Sequence, residues 1–350
     1  MLRILMIGPG RNVQGGISTV VNNYYDVGME KDISLKYLAT MEDGSKVKKL
    51  LIMLKALLMH LVNFNYDILH VHTASRASFY RKSIFIKISK LYKKKVIIHV
   101  HGAEFKEFYL DESSSLNKSY IRNIFKLADK VIVLSEEWKE FFLNICDEEK
   151  IIVMYNSIII PPKEQKSYKD INILFLGRLG HRKGVYDLLS IIPNILRINN
   201  NIKVNLLGDG EIQEVEKLCK EKGIDDHVSV LGWVKGSAKE KIIKESTIFV
   251  LPSYNEGMPM SVLESMGYSL PIISTNVGGI KNQVLNGVNG FLIEPGDKIK
   301  LTECINQLIN SEELRENMGK ESYELVKRKF NINNILTQLE KLYEELGSRR

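Results

Sequence analysis

Cysteine is almost absent: Cys146, Cys219 and Cys304 are the only three in 350 residues. They are far apart and odd in number, with no CxxC pair, which argues against a disulfide framework or a zinc site and fits a reducing compartment. A long apolar run at the start is also missing. "MLRILMIGPG" is interrupted by charge and glycine at once, so no signal peptide is expected and the protein is expected to stay in the cytoplasm. The most lipid-like stretch, "LLIMLKALLMHLV" at 50–62, carries Lys55 and His60 and falls short of the roughly 20 residues that span a bilayer. Low-complexity tracts and short repeats are missing, and with 44% apolar and 26% charged residues neither disorder nor a fibre is indicated. No HExxH, nucleophile elbow or zinc spacing occurs, and "GDGE" at 208–211 is too ambiguous to count as a metal site.

What is present begins with length, which at 350 residues suits two domains of about 150 each. The net charge of +7 favours anionic partners such as phosphates, nucleic acid or an acidic membrane surface, although a solvated basic surface explains it as well. Apolar strand-like runs alternate with helical patterns: "RILMIG", "DILHVH", "KVIIHVHG" and "KVIVLS", then "NILFLGR", "KVNLLGDG", "VSVLGW", "IFVLPS", "PIIST" and "GFLIEP". Such runs suit strands buried on both faces of a parallel sheet, and two consecutive βαβ series predict two doubly wound sheets. Helical spacing is read at 184–198, 211–222 and 236–246, and from 298 to 346. The polar, proline-containing stretch at 156–170 marks the boundary. A ligand is expected in a cleft facing the carboxyl ends of the sheets.

The first βα turn, "IGPGRNVQGGISTVV", opens like a dinucleotide fingerprint at Gly8 and Gly10. Val13 occupies the third glycine position, and Glu30 follows with no clear strand leading to it. Gly15 and Gly16 precede a plausible helix start, where backbone N–H groups approach an anion; a ligand-free tight turn is the alternative. In "FLGRLGHRKGV", Arg178 and Lys183 follow a strand and precede a helix, placed to neutralise a leaving diphosphate or to form a solvated basic loop. "IFVLPSYNEGMPMSVLESMGY" reads as a strand, a turn and a helix, with Pro259 in the first turn and free N–H groups from about Met258 to Val262. Glu256 before the helix and Glu264 on it are suited to accept hydrogen bonds from sugar hydroxyls; a surface acid and a dipole-favouring acid are the alternatives. His99 and His101 alternate along a strand, His101 falling at its carboxyl end, and His72 ends another.

Taken together, "HVHGAEF", "ADKVIVLSEEWKEFF", "FLGRLGHRKGV", "LLGDGE" and above all "EGMPMSVLE", an E-x7-E motif, resemble glycosyltransferase family 4, retaining enzymes of the GT-B fold that use nucleotide sugars. The resemblance covers most of the chain. It implies an N-terminal acceptor-binding Rossmann-like domain over 1–162, a nucleotide-sugar-binding one over 163–328, and a last helix at 329–350 crossing back to the first. It also implies that Glu256 holds donor-sugar hydroxyls and Glu264 the ribose. Arg178 and Lys183 would stabilise the departing diphosphate, helped by backbone at Gly15, Gly16 and the Gly257, Met258, Pro259, Met260 turn, with His101 at the reaction centre. No metal or cofactor is implied, and the donor is expected to be a UDP-sugar. At "MYNSIII" only Asn156 matches the family's Pro-Asn-Gly, and His181 has no assigned role. An epimerase or phosphorylase of the same fold, an NAD-dependent oxidoreductase and a non-catalytic scaffold are the other readings.

The acceptor is expected to be a glycan or a lipid-linked sugar in surface polysaccharide or glycolipid assembly, with no nucleic-acid partner. Lys46, Lys48 and Lys49 precede the 50–62 segment, and "YRKSIFIKISKLYKKK" at 80–95 is also basic and apolar. Both segments either rest on anionic headgroups at the inner membrane face or cover the sheet with basic outer faces.

Overall fold

A computed structural model describes residues 2–62 and 64–348. Six parallel strands form in the first half: β1 (Arg3–Pro9), β2 (Ser34–Met41), β3 (Ile68–Thr73), β4 (Lys95–Val100), β5 (Lys130–Val133) and β6 (Ile151–Val153), in the order β2-β1-β3-β4-β5-β6. Six more follow: β7 (Ile171–Leu176), β8 (Ile202–Leu207), β9 (Val228–Gly232), β10 (Ile248–Leu251), β11 (Ile272–Thr275) and β12 (Gly290–Ile293). Their order is β12-β11-β10-β7-β8-β9, again parallel. Sequences such as "VIIHV" and "IFVL" are buried throughout because helices cover both faces of a parallel sheet.

The chain divides into two compact units, Met1–Ile159 with Asn331–Arg350, and Ile160–Phe330. In the second, strand order runs outward in both directions from the β7/β10 pair, the doubly wound Rossmann arrangement. The point of reversal lies between β7 and β10, and ligands of such sheets bind at the carboxyl ends of the strands at that point. In the first unit the reversal lies between β1 and β3.

The last helix, Ile332–Ser348, belongs to the first unit. Asn331 bridges to Ile158, Ile332 donates to the Ile158 carbonyl at 2.9 Å, and the Tyr343 hydroxyl meets His70 Nδ1 at 2.6 Å. This is the crossing back that the family resemblance implies.

Two strands escape sequence reading, β2 for want of a continuous apolar run and β6 for its shortness. β2 is an edge strand whose burial alternates, and β6 has three residues. Recognising β2 corrects the reading of its acid. Glu42, not Glu30, follows the second strand, where its carboxylate lies 3.7 Å from Lys48. The dinucleotide pattern still fails at Val13.

Candidate active site

At the β7/β10 reversal, the loop after β7 carries Gly177, Arg178 and the turn His181–Lys183, and the loop after β10 carries Pro252 to Pro259. Backbone and side-chain bonds tie the two loops together. Tyr254 N donates to the Arg182 carbonyl at 2.9 Å, and the Arg182 guanidinium donates to the Asn255 carbonyl at 3.1 Å. The result brings Lys183 Nζ to 2.5 Å from Glu256 Oε1, an oxygen that also accepts from Ser253 Oγ at 2.8 Å. Glu256 is 5% exposed, so its charge is stabilised by this lysine and this hydroxyl rather than by water. Both bonds fall on Oε1, leaving Oε2 without a partner among the described residues.

Arg178, one residue beyond Gly177, is exposed and has no side-chain partner among the described residues. Lys183 and Arg178 therefore differ: one already donates to a carboxylate and keeps further N–H donors, the other has no side-chain partner among the described residues at the same strand end.

Helix Met260–Gly267 begins later than the sequence suggests. Pro259 is its N-cap rather than a first-turn residue, so the amides that open the helix are those of Met260, Ser261 and Val262. No acidic side chain or capping side chain occupies that end, which keeps its partial positive charge for an anion. Gly257, Met258, Pro259 and Met260 are buried. The turn is pinned by the segment after β11: Gly279 N donates to the Gly257 carbonyl at 2.6 Å, and Gln283 Nε2 to the Pro259 carbonyl at 3.0 Å. Glu264, the fifth helical residue, pairs through Oε2 with Lys239 Nζ at 2.7 Å. Each of the two glutamates thus has a dedicated lysine and one remaining oxygen.

Gly15 and Gly16 lie in the first unit. Gly15 is the N-cap of helix Gly16–Asp26, both glycines are exposed, and the first turn contains no acid. On β3 and β4 the four histidines His70, His72, His99 and His101 stack on one sheet face, with centroids 4.0 Å apart for His99–His101 and 4.5 Å for His70–His72. Desolvation pushes His70 and His101 down to about 3 and His72 and His99 well below their usual value. His101 is therefore a neutral hydrogen-bonding ring, engaged at 2.9 Å through Nε2 with His72 Nδ1, and not a proton donor near neutrality. His70, His72 and His99 each offer a ring nitrogen within 4.8 Å of the others, but stacked rings aim their lone pairs along parallel planes and not at one centre.

Residues 35–160 match the model of Glycosyltransferase Family 4, and residues 156–325 that of Glycosyl transferases group 1. An uncharacterized glycosyltransferase of Methanocaldococcus jannaschii is 30% identical over 258 residues, spanning 72% of this chain and 68% of the relative. The chain belongs to glycosyltransferase family 4. The capsular polysaccharide biosynthesis glycosyltransferase CapM of Staphylococcus aureus is 28% identical over 233 residues, 62% of this chain and 61% of CapM. Anabaena Alr3699/HepE, solved in complex with UDP-glucose, has a TM-score of 0.78 at 18% identity, covering 99% of this chain and 100% of that one, and so shares the GT-B fold.

In this family 4 enzyme the E-x7-E spacing sets one glutamate in the loop and the other in the second turn of the helix. Sequence reading found both glutamates and their places in loop and helix, and missed the pairing of each with a lysine. Lys239 and Arg182 were not singled out, because their partners come from other βα units and no spacing in the chain announces them, and Ser253 was not, because its bond to Glu256 three residues on depends on how the loop turns.

Among the described residues no helix is long and apolar enough to cross a membrane.

Proposed function

We propose that this family 4 glycosyltransferase moves a hexose from a UDP-sugar, with retention of anomeric configuration, to a glycan or lipid-linked acceptor on the cytoplasmic side of surface polysaccharide or glycolipid assembly. The observation that carries this reading is the pair of lysine-held carboxylates at the β7/β10 reversal, flanked by the free Arg178 and by the uncapped amides of helix Met260–Gly267. Glu256 Oε2 is suited to accept from donor-sugar hydroxyls, and the open oxygen of Glu264 to accept from ribose hydroxyls. Arg178, Lys183 and the amides from Met260 to Val262 are suited to the diphosphate. As the glycosidic bond breaks, negative charge builds on the leaving phosphate, and fixed cations and dipoles lower that barrier without a protein nucleophile.

Within the first unit, the amides opening helix Gly16–Asp26 suit an anion, and His101, held neutral, suits a hydrogen bond to a sugar hydroxyl. The UDP-glucose bound by Alr3699/HepE supports uridine as the base, and the role in CapM's name supports the polysaccharide setting.

Calorimetry with UDP, GDP, ADP and NAD, without added metal, tests the donor site. UDP should bind best, and Glu264→Ala should weaken it about tenfold, the loss of roughly 1.4 kcal/mol. Lys239→Met should weaken it less, because the carboxylate remains. Binding of NAD alone, or of no nucleotide, would remove the donor-site reading.

A further inference from the structure

We propose that helix Lys46–Val62, with the Leu91–Lys94 corner beside it, is a docking face for an anionic lipid bilayer. This bears on the acceptor side of the proposed function, but its test reads lipid binding and not turnover.

The helix buries only a narrow stripe, with Ala56 and His60 as its fully buried residues. At 3.6 residues per turn, Val47, Leu50, Leu51, Leu54, Leu58 and Leu61 fall within an arc of about 100° on the other side. All six are exposed, Leu50 at 54% and Leu58 at 65%. An aliphatic arc this continuous is not how an isolated surface helix of a soluble unit ends. Lysines border it: Lys46 falls on one margin, and Lys55 and Lys48 on the other. Lys46 and Lys55 are exposed and have no ion pair among the described residues.

The face continues at its far end. Phe64 stacks on Tyr92 with centroids 3.8 Å apart, which brings the end of helix Ala77–Leu91 alongside. Leu91 is 80% exposed, Tyr92 is exposed, and Lys93 and Lys94 follow. Aliphatic side chains, an aromatic ring and lysine ammonium groups in this order match the hydrocarbon, interface and headgroup levels of a bilayer.

Charge selects the occupant. Residues 44–103 contain twelve lysines and arginines and one acid, Asp67, a net +11 where the whole chain carries +7. Lys48, Arg76, Lys90 and Lys95 of these pair with acids outside the segment and Lys82 is buried, so the cations left for a partner include Lys46, Lys55 and Lys93, which lie on this face. A second copy of the chain would bring the same charge against it and be repelled, whereas anionic headgroups are attracted. The helix is too short and too basic to span the bilayer, so it lies in the interface with its arc facing the acyl chains.

The test is co-sedimentation of the full chain with phosphatidylcholine vesicles made with and without phosphatidylglycerol, at low and high salt. Wild type should partition onto the anionic vesicles and be released by salt. Leu50→Gln/Leu54→Gln/Leu58→Gln should lose binding about tenfold or more, and Lys46→Gln/Lys55→Gln/Lys93→Gln should lose the preference for anionic lipid. All six positions are exposed, so both variants should keep the wild-type melting curve and UDP binding, which separates failure of this face from failure of the donor site. Equal binding to neutral and anionic vesicles, or wild-type binding by the leucine variant, would overturn the proposal. So would concentration-dependent self-association abolished by the leucine variant without lipid binding, which would give the face to a second copy.

Discussion

At the scale of single residues, the groups with the most altered chemistry are the histidines on β3 and β4. They are enclosed by Tyr343 on the last helix, Tyr24 on helix Gly16–Asp26 and the buried ammonium of Lys82, itself pushed down to about 7 by desolvation. The folded state holds His70 and His101 neutral down to about pH 3, while the unfolded chain takes up protons below about 6.5. Where the unfolded state binds more protons, stability rises with pH, so the stability these rings allow is complete above 6.5 and is lost as pH falls from 6.5 towards 3. By pH 5 the loss is about 2 kcal/mol for each of the two rings. Urea titrations at pH 7.5 and 5.0, read by hydrogen-exchange protection in β3 and β4, should show the first unit weakening in that window. Unchanged protection would mean that the rings accept protons in place. Lys183 and Lys239, by contrast, each sit against a carboxylate, 2.5 and 2.7 Å away.

At the scale of elements, the donor site depends on backbones approaching closely where side chains would not fit. Gly278 has φ of 52°, and a Cβ there would lie 2.0 Å from the Glu256 carbonyl oxygen. Gly278→Ala must therefore displace the turn that carries Glu256 and Gly257. The left-handed backbone alone costs an alanine about 1 kcal/mol, and the forced shift brings the total to about 3 kcal/mol. Gly223, with φ of 62° and open space around it, isolates the first contribution. Thermal melts should show Gly278→Ala several degrees below Gly223→Ala, with UDP affinity reduced only in the former. Equal melts and affinities would show that the turn relaxes freely. Nothing in the sequence announces this contact, because the close approach joins residues 256 and 278 across β11. The same distinction separates what was legible from what was not. β4, β10 and the helix at 260–267 follow from apolar runs and spacing. β2 did not, since an edge strand alternates, and neither did the Lys239–Glu264 pair, since it is made by the packing of two helices.

At the scale of the whole molecule, the chain order and the folding units do not coincide. The second unit is one continuous stretch, Ile160–Phe330, and its core needs no other part of the chain to be complete in sequence. The first unit needs the last twenty residues. Helix Ile332–Ser348 buries Ile335, Leu339, Leu342, Tyr343 and Leu346, and at about 2 kcal/mol per side chain its removal costs roughly 10 kcal/mol, as much as a domain's whole stability. It would also leave His70 Nδ1 without the Tyr343 hydroxyl. A fragment of residues 160–330 should therefore melt cooperatively by itself, while 1–159 should not. Because Asn331 pairs directly with Ile158, a short Gly-Ser connection from 159 to 331 should restore cooperative melting to the first unit. If 1–159 alone melts as sharply as the reconnected form, the last helix is an accessory, and the burial of Tyr343 against the histidines has to be explained by something other than stability. If neither form folds, the first unit takes its stability from the chain it is joined to, and the two units fold as one despite their separate cores.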